Sequence, residues 1–129
     1  MMIEITPMYA VPLAILMLAL WFNVTKTRAA KSISIGDGGD VELHEKIRRH
    51  GNFIEWVPFV LLMMLIAELS GAGPEWLHAI GLFLLVSRLI HPFGLKADAP
   101  SHVLRIVGNT GSLIALVISV SCIIYLMLA

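Results

Sequence analysis

Charged residues are scarce in this chain of 129 residues. Asp, Glu, Lys and Arg make up 14% of the sequence, whereas a typical soluble domain has about 25%. Hydrophobic residues make up 58%, and the mean hydropathy is +0.87. This balance argues against a soluble domain and predicts an integral membrane protein.

Cysteine is nearly absent, and so are the features of a cleaved leader. A single residue, Cys122, excludes an internal disulfide and a cysteine-based metal cluster, and its place in an apolar run indicates a packing role. The first apolar run has no basic residue before it, and no small-residue cleavage motif follows it. We therefore expect this run to remain as the first transmembrane helix.

Four apolar runs are long enough to suggest membrane helices. They lie at about residues 8–24, 53–69, 76–90 and 103–128. A helix needs about 20 residues to span a bilayer, so the short second and third runs must extend into charged flanks. The predicted helices are residues 5–28, 41–70, 75–94 and 101–128. We expect one all-α domain over residues 1–129, an up-down-up-down bundle of four transmembrane helices.

Turn-forming residues separate these helices. The segment "KSISIGDGGDVELH", residues 31–44, is rich in glycine and aspartate, and Asp40 is a suitable N-cap for the second helix. Pro74 is placed to begin the third helix after the short turn "SGAG". Ser101 is the predicted cap of the fourth helix.

The nine basic residues are distributed very unevenly. They flank only the first and third connections: Lys26, Arg28, Lys31, Lys46, Arg48, Arg49, Arg88, Lys96 and Arg105. Because loops rich in Lys and Arg stay in the cytoplasm, both connections are predicted to be cytoplasmic and both termini to be outside. The two tyrosines, Tyr9 and Tyr125, then lie near the outer interface, where amphipathic rings are favoured.

The segment "HEKIRRHGNFIEWVPF", residues 44–59, places polar side chains at the start of an apolar helix. At 3.6 residues per turn, four of them fall within a sector of about 80°. They are His44, Arg48, Asn52 and Glu55. Arg88 with His91, and His102 with Arg105 and Asn109, form similar stripes on the third and fourth helices. Arg28 adds a cation at the same end of the first helix.

Two explanations of these polar groups remain open. Lys31, Lys46, Lys96 and Arg49 are predicted to reach lipid headgroups, but Asn52 and Glu55 are too short to do so. A carboxylate within a membrane helix is energetically costly unless it is paired with a cation. Glu55 either forms a structural ion pair with Arg48 or Arg88, or belongs to a ligand site. Because arginines outnumber Glu55, such a site favours a ligand with carboxylates or phosphates.

The spacing Arg48-x3-Asn52-x2-Glu55-x2-Pro58 resembles the MAPEG family, the membrane-associated proteins in eicosanoid and glutathione metabolism. "TKTRAAKSISIGDGG" and "LHAIGLFLLVSRLIHPFGL" support a resemblance to its small bacterial members. The resemblance implies a homotrimer in the bacterial inner membrane. It also implies glutathione bound at the cytoplasmic side, between subunits, and a small hydrophobic substrate from the lipid. Nucleic acid is not an expected partner.

The same resemblance assigns residues to the glutathione site. The matching positions are Arg28, Arg48, Asn52, Glu55, Arg88 and His91, and we add His44 because it shares their helical stripe. The family's arginine on the fourth helix matches Arg105. We assign Arg105 the catalytic role, since a cation near the sulfur favours the reactive thiolate.

One position departs from the family pattern. Well-studied members have a tyrosine seven residues after the arginine of the third helix, and here that position is Leu95. Eicosanoid synthesis is therefore disfavoured. Glutathione transferase or peroxidase activity on hydrophobic electrophiles is the leading prediction. A non-catalytic scaffold or ligand sensor is one alternative, and a subunit of a small-molecule transporter is another.

Overall fold

Four long helices account for most of the computed structural model, which describes residues 3–129. They are α1 (Ile5–Lys31), α2 (Val41–Leu69), α3 (Pro74–Gly94) and α4 (Val103–Leu128). Residues 3–129 contain no strand. All four helices are long and apolar enough to cross a bilayer, so the predicted all-α, four-helix membrane bundle is confirmed.

The helix ends follow local capping chemistry. Asp40 caps α2, accepting a hydrogen bond of 2.8 Å from the Leu43 amide, and Pro74 is the first residue of α3; both were predicted. α1 runs one turn further than predicted and ends where Ser32 adopts a left-handed conformation, with φ of 54°. The predicted cap of α4, Ser101, is wrong. His102 has the extended conformation of a cap, and its Nδ1 accepts from the Leu104 amide.

α3 and α4 form the most extensive helix pair, and α1 packs chiefly on α2. Gly108 allows the close approach of α3 and α4, since a Cβ atom there would lie 2.6 Å from the Cβ of His91. The core between the helices consists of fully buried apolar side chains such as Leu13, Val60, Ile80 and Leu84. The many apolar residues on the outside suit a bilayer.

A carboxylate from α2 caps the start of α1. α1 has no side-chain cap of its own. Glu68 accepts hydrogen bonds of 2.7–2.8 Å from the amides of Glu4, Ile5 and Thr6. These amides belong to the first turn, which has no partners within the helix. Glu68 therefore fixes the end of the bundle opposite the polar stripes.

Candidate functional site

A polar cavity of about 240 Å³ opens at the end of the bundle where the polar stripes lie. We call it the basic cavity. Its lining comes from α2, from α4 and from the connection between α3 and α4: His44, Glu45, Arg48, Asn52, Leu95, Lys96, Ala97, Arg105 and Asn109. The structure thus brings together His44, Arg48, Asn52 and Arg105, which were predicted to share a site. Their roles toward a ligand remain predictions.

Three cations line the basic cavity. Arg48 pairs with Glu55, but Lys96 and Arg105 form no ion pair with any residue in 3–129. Within residues 3–129, the Arg105 side chain forms one hydrogen bond, to the Pro100 carbonyl at 3.3 Å. Lys96 was predicted to reach lipid headgroups, and this stays a prediction: the α3–α4 connection folds over the end of α2 and places the exposed Lys96 side chain in the cavity wall. The cavity therefore has a surplus of positive charge.

A clasp between α2 and the α3–α4 connection forms one wall of the basic cavity. The Arg49 guanidinium donates to the Leu95 carbonyl through Nε at 3.1 Å and Nη2 at 3.0 Å, and to Glu45 at 2.9 Å. The other Glu45 oxygen accepts from the Ala97 amide at 2.8 Å. The predicted headgroup role of Arg49 is therefore wrong, because two of its three guanidinium nitrogens bind protein oxygens. The spacing of Glu45 and Arg49, four residues apart, was an available signal of their pairing.

Behind the cavity wall lies a buried arginine. Arg88 is 1% exposed. It donates to the Asn52 side-chain oxygen and to the Gly108 carbonyl, both at 2.8 Å. It therefore fixes the orientation of Asn52, whereas it does not itself line the cavity. His91, 2% exposed, lies one turn further along α3, and its Nε2 has no hydrogen-bond partner within residues 3–129.

Glu55 lies outside the cavity lining, on an outer face of α2. It accepts hydrogen bonds from the Arg48 guanidinium at 3.2–3.4 Å. Gly51 lies beneath this contact, and a Cβ there would come within 3.3 Å of an Arg48 nitrogen. About half of each side chain is exposed, 47% for Arg48 and 54% for Glu55. The ion pair therefore presents charge on the surface of a membrane helix.

Arg28 is the predicted site residue that the structure places apart from the others. Its guanidinium donates to the carbonyls of Gly36, at 2.7 Å, and Ile33, at 3.4 Å. It thereby holds the loop between α1 and α2. Arg28 does not line the basic cavity.

Other basic residues of this region are bound by carboxylates. Lys31 pairs with Asp40 and Glu42, and Lys46 pairs with Glu42. Their predicted headgroup roles are therefore wrong, because the acidic loop offers nearer partners.

His44 contacts Asp37 in the same loop, at 2.6 Å. The Gly39 amide and the His44 ring lower the pKa of the Asp37 carboxyl. Asp37 therefore anchors the loop beside the basic cavity.

Comparison with known proteins identifies relatives of this chain over most of its length. A model of the MAPEG family matches residues 6–125. Two relatives are inner membrane proteins named YecN, from Escherichia coli strain K12 and from strain O6:H1. Each is 38% identical over 90 residues, covering 70% of this chain and 69% of the relative. No solved structure matches significantly. With a family match from α1 to the end of α4 and four membrane-spanning helices, the chain belongs to the MAPEG family of integral membrane proteins.

Proposed function

We propose that this protein binds glutathione in the basic cavity and transfers it to hydrophobic electrophiles, or uses it to reduce hydrophobic peroxides. The observation that carries the proposal is the convergence of Arg48, Lys96 and Arg105 on one cavity, two of them without an ion-pair partner among the described residues. Unpaired cations in a confined site are matched by a ligand with carboxylates. Membership of a family that includes glutathione enzymes makes glutathione the ligand of choice.

The charges of glutathione fit these residues. It has two carboxylates, one ammonium group and a thiol. Lys96 and Arg48 are our proposed partners for the carboxylates, and Glu55, beside Arg48, is the proposed partner for the ammonium. Arg105 lies on α4, where a cation beside the sulfur would lower the pKa of the bound thiol and favour the thiolate. Asn52 would add a fixed hydrogen-bonding group, since Arg88 orients it.

We propose that the functional unit is a homotrimer. Arg48 and Glu55 share the outer surface of α2 with apolar residues such as Phe59 and Leu62, which are 53% and 50% exposed. Charges on such a surface are costly in lipid, and a neighbouring subunit would cover them. A subunit boundary at this face would also allow Arg28 of one subunit to approach the site of another, which it does not reach within its own subunit.

The hydrophobic substrate has a suitable route from the lipid. An apolar groove of about 560 Å³ runs between α3 and α4 and is lined by residues such as Phe83, Val86, Ile106 and Ile114. The groove starts at Ile106, the residue after Arg105, and continues along α3 and α4 to Ala79 and Ile114. We propose that an electrophile enters along it. The inner membrane location of the relatives, together with the four apolar helices, supports the same membrane for this protein.

Calorimetry of glutathione binding to the detergent-purified protein tests the proposal. Arg48 and Glu55 are half exposed in the single chain, and in the proposed trimer the ligand and the neighbouring subunit desolvate them. Losing one partner of a desolvated charge pair costs about 2–5 kcal/mol, so Arg48→Leu and Glu55→Gln should each weaken binding by roughly tenfold or more. The matched control is Lys26→Gln, an exposed lysine of α1 outside the cavity. No binding by the unmodified protein at millimolar glutathione would refute the proposal. Loss of thermal stability with unchanged affinity would assign Glu55 a structural role only.

A second candidate, a non-catalytic glutathione sensor, is favoured by Leu95. This residue lines the basic cavity at the position of the family tyrosine, and its side chain has no hydroxyl. Conjugation of glutathione to a chlorodinitrobenzene acceptor separates the two candidates. Turnover that is lost in Arg105→Gln supports the enzyme, whereas binding without turnover supports the sensor.

A further inference from the structure

A second cavity, of about 740 Å³, lies at the opposite end of the bundle. It is bounded by the α2–α3 turn and the last turns of α4, about 30 Å from the basic cavity along α3. We call it the acidic groove, and its lining includes Glu75, Trp76, Ile118, Ser121, Cys122 and Tyr125. The volume falls within the range of about 300–1,000 Å³ that is usual for small-molecule sites.

The acidic groove is lined by one carboxylate, two aromatic rings and an apolar wall. Glu75 is exposed and makes no hydrogen bond or ion pair with any residue in 3–129. It lies in the first turn of α3, where a negative charge suits the helix dipole. Trp76 and Tyr125 are 53% and 71% exposed and line the same groove. Their rings can bind a cation through their faces.

The distribution of basic residues excludes two other occupants. No lysine or arginine occurs in residues 50–87 or 106–129. A second copy of this chain in the same orientation therefore brings no lysine or arginine to Glu75, and its His78 is already bonded to Tyr9. A zwitterionic phospholipid brings an ammonium, but its phosphate would find no basic side chain in the groove. A ligand with a single positive charge and an apolar body satisfies both the carboxylate and the apolar wall.

We infer that the acidic groove binds a cationic amphiphile, an apolar molecule with one ammonium group. The ammonium contacts Glu75, between the rings of Trp76 and Tyr125, and the apolar body lies along Ile118 and its neighbours on α4. The Ser121 hydroxyl, which has no hydrogen-bond partner within residues 3–129, is available to a primary ammonium. This site is independent of glutathione binding.

Fluorescence quenching of Trp76 tests the inference on the full-length protein in phosphatidylcholine nanodiscs. Trp21 and Trp56 are replaced by phenylalanine, so that Trp76 is the single tryptophan. The probe is 2-bromododecylammonium, whose bromine quenches tryptophan on contact. We expect saturable quenching. The uncharged 2-bromododecanol should give only the gradual quenching of a probe dissolved in lipid, and saturation by the alcohol to the same degree would overturn the inference.

Matched variants locate the binding site. Glu75→Gln keeps the shape and removes the charge, and it should weaken binding of the probe about tenfold or more. Glu4→Gln makes the same charge change at the same end of the bundle, outside the groove, and should change the affinity by less than about twofold. Equal losses in both variants would show that only surface potential attracts the probe.

A filling variant and two competitors complete the test. Ser121→Phe should abolish saturable quenching by occupying the groove, and it decides the question if Glu75→Gln does not fold. Phosphatidylethanolamine should not displace the probe, and neither should butylammonium, which lacks the apolar body. Displacement by either one at concentrations equal to that of the probe would refute a site for cationic amphiphiles.

Discussion

The guanidinium of Arg88 donates a hydrogen bond of 2.8 Å to the side-chain oxygen of Asn52. A second bond goes to the Gly108 carbonyl, so that this one buried cation joins α2, α3 and α4. No carboxylate in residues 3–129 forms an ion pair with Arg88. Neutral oxygens alone therefore support the charge, and each of them matters more than it would at the surface, because an unpaired buried group is costly.

Asn52→Leu should destabilise the bundle. The substitution leaves Nη1 of Arg88 without its acceptor and should lower the free energy of unfolding by about 1–3 kcal/mol. Asn109→Leu is the control, since Asn109 also lines the basic cavity but its buried side-chain oxygen has no partner within residues 3–129. Equilibrium unfolding by sodium dodecyl sulfate, followed by circular dichroism, measures both. Equal losses of unfolding free energy in the two variants would contradict the supporting role of Asn52.

Much of this fold could be predicted from the sequence because its signals are local. Apolar runs gave the four spans, and Asp40 and Pro74 marked two helix starts through chemistry that depends on a few neighbouring residues. The stripe of His44, Arg48 and Asn52 follows from helical periodicity alone.

Contacts between distant segments could not be predicted in the same way. Arg49 looked like a headgroup residue, since nothing local reveals that the connection after α3 folds back onto α2 and offers it the Leu95 carbonyl. Arg28 is held by the carbonyls of Ile33 and Gly36, in a loop where Gly36 adopts a positive φ of 67°. A sequence pattern does not reveal which backbone carbonyls accept hydrogen bonds from a side chain.

Glu68→Gln should loosen the start of α1. Glu68 accepts three amide hydrogen bonds with its two oxygens, whereas a glutamine has one oxygen and would point its amide donors at other donors. We expect a loss of about 1–3 kcal/mol and faster hydrogen exchange at residues 4–6. The control is Glu68→Asp, which keeps the charge but shortens the side chain. Unchanged exchange at residues 4–6 in Glu68→Gln would contradict the capping role.

Arg49→Gln should release the α3–α4 connection from α2. The clasp contributes two hydrogen bonds to the Leu95 carbonyl, and Glu45, held by Arg49, contributes one to the Ala97 amide. Local opening should become roughly tenfold more frequent, since hydrogen bonds to charged groups are worth about 1.5–3 kcal/mol. Trypsin should then cleave faster after Lys96. In the control, Lys26→Gln, cleavage after Lys96 should be unchanged. An equal cleavage rate in both variants would contradict the role of the clasp in holding the connection against α2.

The orientation of the bundle should place both basic connections in the cytoplasm and both termini outside. The first connection and its flanks contain six basic residues, and the second contains three with its flanks. Lys31 and Lys46 are paired with carboxylates, but this pairing does not weaken the prediction. Orientation follows the number of lysines and arginines near the membrane, and acidic residues contribute little.

Alkaline phosphatase fusions measure this orientation, because the enzyme is active only outside the cytoplasm. Fusions after Gly73 and after Ala129 should be active, and fusions after Gly38 and after Asp98 should be inactive. Fluorescent protein fusions at the same four positions should give the opposite pattern, which controls for expression. The alternation also tests the number of spans, since each pair of neighbouring positions is separated by one helix. An inactive phosphatase with a fluorescent reporter after Ala129 would invert the topology and move the basic cavity to the outer face, where cytoplasmic glutathione does not reach it.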